Sequence, residues 1–556
     1  MKVLFYNNFR KGCGWWLGAV FSVVVLWPGA GWAAKPKPAL VTEFGRFETS
    51  LRSSTIYVNP LQDVTVTAVF LPPSGAPRKV YGFWDGGRTW RVRFLPDQPG
   101  KWKFQTSSSD RTNASLSVTG EFVCVAAKGT SALDLHGPVR MARDGRHMER
   151  EDGTPFFWLA DTLWKGALQA SARDLDYYAQ VRARQNFTVI QWAAAPEADG
   201  RKRSAFSGSG LITPDVEYFQ ALDARIEALN RAGLVSAIVP LEELGAPKGN
   251  AATAQIAEDQ AILLLRYMAA RWGADDVAWV LTCEGDNRAR NVDRWKAIGR
   301  AVFGDGRHAP VAVYPGETYW VLNEFRREPW VDLLGCPASQ EVNDDTIQWL
   351  VAGPPANDWS KEPQKPFVFW APLENEAAES GHRPDAFEVR RAIYWSFLTA
   401  TSAGVNYGGQ GVWNWQPGNG NAATNASAST QPGWREALFL PGAKQMSEVA
   451  EAIGGLEFWR LRPAPEIVAR QPGIDEPGRH IAAARTPEGD MVLVYVPSDR
   501  EVELVTEMLP STPEVNWINP RTGQRSPGLA VLGGQTCRFP TPKQGDWLLL
   551  IRTFKE

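Results

Sequence analysis

The chain has 556 residues, 44% of them hydrophobic, and a formal net charge of −2. That length calls for several domains with sizeable cores, since single domains run to roughly 100–250 residues, and the composition excludes global disorder. The near-neutral balance argues against a nucleic-acid partner, which a basic stripe would announce.

Residues 1–34 read as a secretory signal peptide. Lys2, Arg10 and Lys11 precede an apolar run from Trp15 to Trp27, and Pro28-Gly29 leads to the small residues Gly31, Ala33 and Ala34. The rival reading, an uncleaved membrane anchor, needs a longer apolar run. No later stretch is long and apolar enough to span a bilayer. The expected mature protein is therefore secreted or periplasmic, with no stable membrane insertion. Of the 5 Cys, Cys13 falls in the signal, and Cys124, Cys283, Cys336 and Cys537 show neither C-x-x-C nor ligand spacing. Free buried thiols are expected rather than disulfides or zinc ligands. The 5 His offer no facing pair, so neither a metal nor an organic cofactor is expected.

Residues 35–128 carry short apolar runs separated by turn signals. Strands are expected at 64–70, 80–83, 90–94, 102–106 and 115–118, with Pro72-Pro73-Ser74-Gly75 and Asp97-Gln98-Pro99-Gly100 between them. This spacing predicts an N-terminal β-sandwich.

Over 135–455 the pattern alternates strand and helix. Strands are expected at 156–160, 189–192, 234–239, 277–281, 311–314, 331–335, 367–371 and 404–407. Amphipathic helices are expected at 172–184, 214–231, 254–272, 292–302, 318–327, 346–351, 386–399 and 443–453. Eight such units predict a (β/α)8 TIM barrel. A doubly wound sheet is the alternative, but neither G-x-G-x-x-G nor a Walker A sequence is present. Strands return over 456–556, at 480–485, 491–496, 515–518, 537–539 and 547–551, and predict a C-terminal β-sandwich.

In a TIM barrel the chemistry sits at the C-terminal ends of the strands. The first strand leads into Asp161 and Trp164, the second ends in Gln191-Trp192, and the third leads to Glu242 and Glu243. The fourth ends in Cys283-Glu284-Gly285-Asp286-Asn287 and the seventh in Leu373-Glu374-Asn375-Glu376. The eighth runs into Tyr407–Trp415 and presents Trp413 and Trp415. Amides and acids bond hydroxyls, and indoles cover the C–H faces of a sugar; the 25 Trp tilt the composition the same way. Two strand-end carboxylates are what cleavage of a glycosidic bond requires, and a retaining pair stands roughly 5–5.5 Å apart. On this reading Glu284 is the acid/base and Glu374 the nucleophile. Asp286 is the register alternative to Glu284, and Glu376 the alternative to Glu374. Asp161, Trp164, Gln191, Trp192, Asp286, Asn287, Glu376, Trp413 and Trp415 are the expected substrate-binding residues.

These segments carry a resemblance. Arg150–Trp164, reading R-E-D-G-T-P-F-F-W-L-A-D-T-L-W, resembles the opening of the apiosidase-like glycoside hydrolase barrels, and the likeness continues through 187–192, 267–287, 365–379 and 390–415. Tyr57-Val58-Asn59-Pro60 and the segments 82–86 and 96–102 resemble the sandwich that precedes such barrels. Asn519-Pro520-Arg521-Thr522-Gly523 and Gly545-Asp546-Trp547 resemble the collagen-binding-like sandwich that follows them. Two motifs depart from the family. Cys283-Glu284 stands where relatives carry Gly-Asp, and Glu374-Asn375-Glu376-Ala377-Ala378-Glu379 stands where they carry Glu-Pro-x-Tyr-Glu. The resemblance implies a secreted retaining glycoside hydrolase acting on a plant or algal polysaccharide or oligosaccharide; apiose specificity is not carried over. The alternative is a non-catalytic carbohydrate-binding or adhesion protein on a decayed barrel.

Overall fold

The computed structural model describes residues 38–196, 204–208, 210–244, 251–281, 290–315, 320–418 and 432–553. The expected signal segment therefore lies outside the described residues, as do Cys283, Glu284, Asp286 and Asn287. Among the described residues, no helix is long and apolar enough to cross a membrane. Residues from Ala39 onward form one compact unit.

Eight parallel strands close into a barrel. They are β1 (Trp158–Thr162), β2 (Val189–Ala193), β3 (Val235–Val239), β4 (Val277–Leu281), β5 (Val311–Val313), β6 (Leu333–Pro337), β7 (Phe367–Trp370) and β8 (Ser402–Tyr407). Every residue of these strands is buried, as expected of a parallel sheet covered on both faces. The strand period of two sorts them. Trp158, Ala160, Val189, Val235, Ala237, Val280, Val368 and Trp370 fill the barrel interior. Leu159, Ile190, Trp192, Ile238, Trp279, Phe369, Val405 and Tyr407 face the surrounding helices. Those helices include α1 (Ala172–Arg184), α2 (Val216–Arg231), α3 (Glu258–Trp272), α4 (Arg290–Phe303), α5 (Asp344–Ala352), α6 (Ala386–Thr399) and α7 (Pro441–Val449).

A three-stranded sheet of Val139–Met141, Met148–Arg150 and Pro155–Phe156 precedes β1. Its Val139, Met148 and Phe156 pack into the barrel's interior cluster. Because it leads directly into the start of β1, it plugs the N-terminal end and leaves the C-terminal end as the open mouth. Arg150 pairs there with Asp276, which precedes β4, at 2.7 Å.

The N-terminal sandwich joins a five-stranded and a three-stranded sheet across one core that contains Phe47, Phe70, Trp90, Trp102 and Phe122. The expected strand at 115–118 is instead a turn, Ala114–Leu116, followed by a strand at Thr119–Val125. The Thr106 hydroxyl donates to Leu116 O at 2.8 Å and accepts from Val118 N–H at 2.8 Å, taking the backbone partners a ladder would have used. The C-terminal sandwich joins six- and three-stranded sheets. It includes a strand at Glu501–Val505 that its short apolar alternation did not reveal. The expected helix at 318–327 is described only as the short turn Leu322–Phe325. Cys124, Cys336 and Cys537 are free and buried.

Both sandwiches lock onto the barrel through buried charge. Arg93 bonds Asp223 on α2 at 2.9 Å and the carbonyl of Arg271, while Arg271 on α3 reaches Asp85 at 3.0 Å and Asp223. On the other side, Arg390 of α6 holds Asp546 through two bonds of 2.8 and 2.9 Å, and Tyr495 donates to the same carboxylate. α6 is buried along nearly its whole length because it separates the barrel from the C-terminal sandwich.

Candidate active site

At the mouth, polar side chains replace the apolar interior. Thr162 on β1 donates to Asn406 Oδ1 on β8 at 3.2 Å, and Asn406 Nδ2 donates to Gln191 Oε1 on β2 at 3.0 Å. All three are buried. They point inward by strand parity and form a hydrogen-bonded floor, each group partnered as burial demands. The ring of Tyr314, which follows β5, and that of Trp370, which ends β7, lie 4.1 Å apart. Gly335 makes room for them, since a Cβ there would stand 2.5 Å from the Trp370 ring and 2.9 Å from Tyr314 Cβ.

Two indoles hold two carboxylates at the rim. Trp164 Nε1 donates to Glu242 Oε1 at 2.6 Å, and Trp413 Nε1 donates to Glu376 Oε2 and Gln410 Oε1, each at 3.1 Å. The loops carrying the indoles are tied together, Lys165 N–H donating to Trp413 O at 3.2 Å. The loop that presents Glu376 is pinned by Gln340, which follows β6. Its Nε2 donates to the carbonyls of Leu373 and Glu376, both at 3.0 Å, and its Oε1 accepts from Leu373 N–H at 2.8 Å. Asn375, Glu243 and Trp415 hold φ of 62°, 53° and 53°. Such left-handed backbone on residues other than glycine is uncommon and concentrates at functional sites; here it follows β7, β3 and β8 on the open face.

Glu374, the expected nucleophile, is not brought to the mouth. It is 2% exposed. Its Oε2 accepts from the Tyr407 hydroxyl at 2.5 Å, and its Oε1 accepts from Gly442 N–H at 3.0 Å in the first turn of α7. Both partners belong to the layer between strands and helices, where a carboxylate at a helix N-terminus is favourable. Burial pushes the Glu374 carboxyl above its ordinary range, against the pull of the Tyr407 and Gly442 bonds. Burial, together with the Glu374 charge, likewise pushes the Tyr407 hydroxyl well up, keeping it a donor.

Asp161 is also turned outward. Its Oδ2 accepts from Tyr178 Oη and Arg182 Nε of α1, both at 2.6 Å, and the carboxylate is fully buried. Trp192 packs edge-on against Trp272 with centroids 6.2 Å apart, and Trp415 stacks on Trp434 at 4.1 Å. These three expected substrate contacts sit on the helix side of the barrel wall. Strand parity accounts for the two that lie in strands, because Asp161 and Trp192 occupy outward positions of β1 and β2. Of the expected residues, Trp164, Gln191, Glu376 and Trp413 converge at the mouth, joined by Thr162, Glu242, Tyr314, Gln340, Trp370, Asn406 and Gln410. Asn406 was legible as a polar residue in an apolar strand, and Trp370 as the penultimate aromatic of the 367–371 run. Gln340 lies in no motif, and only the folded chain brings it to Glu376. Among the described residues no cluster of His, Cys, Asp and Glu could hold a metal.

An eight-stranded barrel whose open end gathers carboxylates, amides and indoles is the architecture of a glycoside hydrolase. The chain belongs to the apiosidase-like family, whose catalytic-domain model matches residues 142–460. A domain of unknown function matches 40–109 and a collagen-binding-type domain of a collagenase matches 463–552. Among solved structures, a Bacteroides vulgatus ATCC 8482 chain assigned as a glycoside hydrolase aligns with TM-score 0.67 and 16% identity, covering 93% of this chain and 100% of its own. A family 5 glycoside hydrolase from the same organism gives TM-score 0.63 and 18% identity over 77% of this chain and 95% of its own. No curated protein matches the chain. The protein is a glycoside hydrolase with a carbohydrate substrate.

Proposed function

We propose that the protein cleaves a plant or algal polysaccharide outside the cytoplasm, with retention, using Glu376 as nucleophile and Glu284 as acid/base. The observation that carries this reading is the Glu376 carboxylate, half-buried at the mouth with one oxygen held by the Trp413 indole. That bond orients the carboxylate and leaves its other oxygen to attack the anomeric carbon. Glu284, at the end of β4 in the sequence, would protonate the departing glycosidic oxygen and then take a proton from the water that opens the glycosyl-enzyme. Asp286 is the register alternative for the acid. The Tyr314–Trp370 pair offers an aromatic face for a sugar ring, and Gln410 and the Gln191–Asn406 floor offer hydroxyl partners. The apolar run at the N-terminus supports export.

Glu376→Gln and Glu284→Gln should each lower kcat by roughly 10³-fold or more on a cognate glycan, since each removes an essential step. Azide should restore turnover to Glu376→Ala and yield an inverted glycosyl azide. Wild-type rates in both Gln variants would overturn the assignment. Glycan binding by wild type without product release would overturn the catalytic assignment.

A further inference from the structure

A cavity of about 420 Å³ lies between the barrel and the C-terminal sandwich, away from the mouth residues described above. Its walls include Phe387 and Arg390 of α6, Gln445 of α7, and Arg521, Gln544 and Asp546 of the sandwich. Helices of a (β/α)8 barrel run opposite to its strands, so the first turns of α6 and α7 lie at the same end of the barrel as the mouth. Clefts at domain interfaces with a few convergent polar groups are where ligands preferentially bind.

The charges in this cavity do not cancel. Asp546 is consumed by Arg390 through its two bonds of 2.8 and 2.9 Å, and Tyr495 adds a third. Arg521 is the second, more distant cation on that one carboxylate, so the lining holds two guanidiniums against a single acid. Its Nε donates to Asn519 Oδ1 at 3.0 Å, which fixes the guanidinium plane, while Nη1 approaches Asp546 no closer than 3.6 Å. Its terminal nitrogens make no hydrogen bond to the described residues, and the side chain is 34% exposed. Gly545 permits this pose: its φ is 123°, and a Cβ there would stand 2.6 Å from Arg521 Nη1. A planar guanidinium anchored at Nε with its outer edge open is suited to a two-oxygen anion. Phe387, elsewhere in the lining, lies under the Arg390 and Arg391 guanidiniums, and Gln544 adds an exposed amide.

We infer that this cavity is a second glycan site, binding an anionic sugar unit, carboxylated or sulfated, through Arg521 while the mouth engages another part of the same chain. The inference rests on the glycosidase reading only in taking the ligand to be a saccharide. The test is calorimetric titration of the full-length protein with three probes: a glucuronate-containing oligosaccharide, a sulfated oligosaccharide and a neutral oligosaccharide of equal length. At least one anionic probe should bind, its affinity falling as salt rises. Arg521→Gln should weaken it tenfold or more and Arg521→Lys less, with the unfolding midpoint and hydrolysis of short neutral glycosides unchanged. The probe that responds identifies the anion. Equal binding of neutral and anionic probes, or an unchanged Kd in Arg521→Gln, would overturn the site, as would no binding at all. If Arg521-dependent binding is found in a protein that hydrolyses nothing, this site stands and the catalytic reading falls.

Discussion

Glu376 lies two positions on from Glu374, with one residue between them, and in a continuing strand their side chains would share a face. Asn375 breaks that alternation with a φ of 62°, so Glu374 turns toward α7 and Glu376 toward the mouth. Sequence order favoured Glu374 because it comes first after the strand; the deciding torsion belongs to the residue between them. Glu374→Ala would leave the buried Tyr407 hydroxyl and Gly442 N–H without their acceptor, a loss of about 3 kcal/mol. The urea midpoint should fall accordingly, while kcat of the folded fraction stays within tenfold of wild type. A loss of kcat at unchanged stability would instead return Glu374 to the chemistry.

At the scale of elements, the β7–α6 connection is held from a neighbouring strand. Gln340 makes three bonds to the Leu373–Glu376 segment, and Arg383 donates to Asn375 O at 2.6 Å. Gln340→Ala removes the first set. It should cost roughly tenfold to a hundredfold in kcat through misplacement of Glu376, with little change in KM and less than about 1.5 kcal/mol in stability, since the site is open enough for water to replace the amide. Steady-state kinetics beside a denaturation curve separates this from unfolding. The helices themselves were largely readable: 172–184 and 386–399 coincide with α1 and α6, because apolar spacing and side-chain caps at Ser171 and Asp385 agree. α7 carries an additional signal, Pro441 in its first turn, but its acceptor partner Glu374 comes from a distant strand.

For the molecule as a whole, the barrel and C-terminal sandwich meet at α6, where Trp395 Nε1 donates to His480 O at 2.7 Å. Burial lowers the His480 imidazole from 6.5 to about 4. The unfolded chain therefore binds more protons between these values, so stability from this group is complete above pH 6.5 and is lost as pH falls toward 4. The unfolding midpoint should drop across that window, and the drop should shrink in His480→Gln. An NMR titration placing the ring near 6.5 in the folded protein would contradict the account. The three-part architecture was legible from the switch of hydrophobic period along the chain. The ion clusters that fasten the parts, Arg93–Asp223–Arg271–Asp85 and Arg390–Asp546, were not, because their members lie far apart in sequence.

By itself the sequence determined the eight strands, because burial on both faces writes an apolar run that needs no knowledge of neighbours; the alternation with helices implied their parallel order, and the motifs carried the family resemblance. It also supplied Glu376, Trp413, Trp164 and Gln191 as rim residues. Only the tertiary structure decided which way each polar side chain faces. Asp161, Trp192 and Glu374 turn outward and Glu376, Asn406 and Trp370 inward, since facing depends on strand parity, on the break at Asn375 and on partners such as Gly442 and Gln340 contributed from elsewhere in the chain.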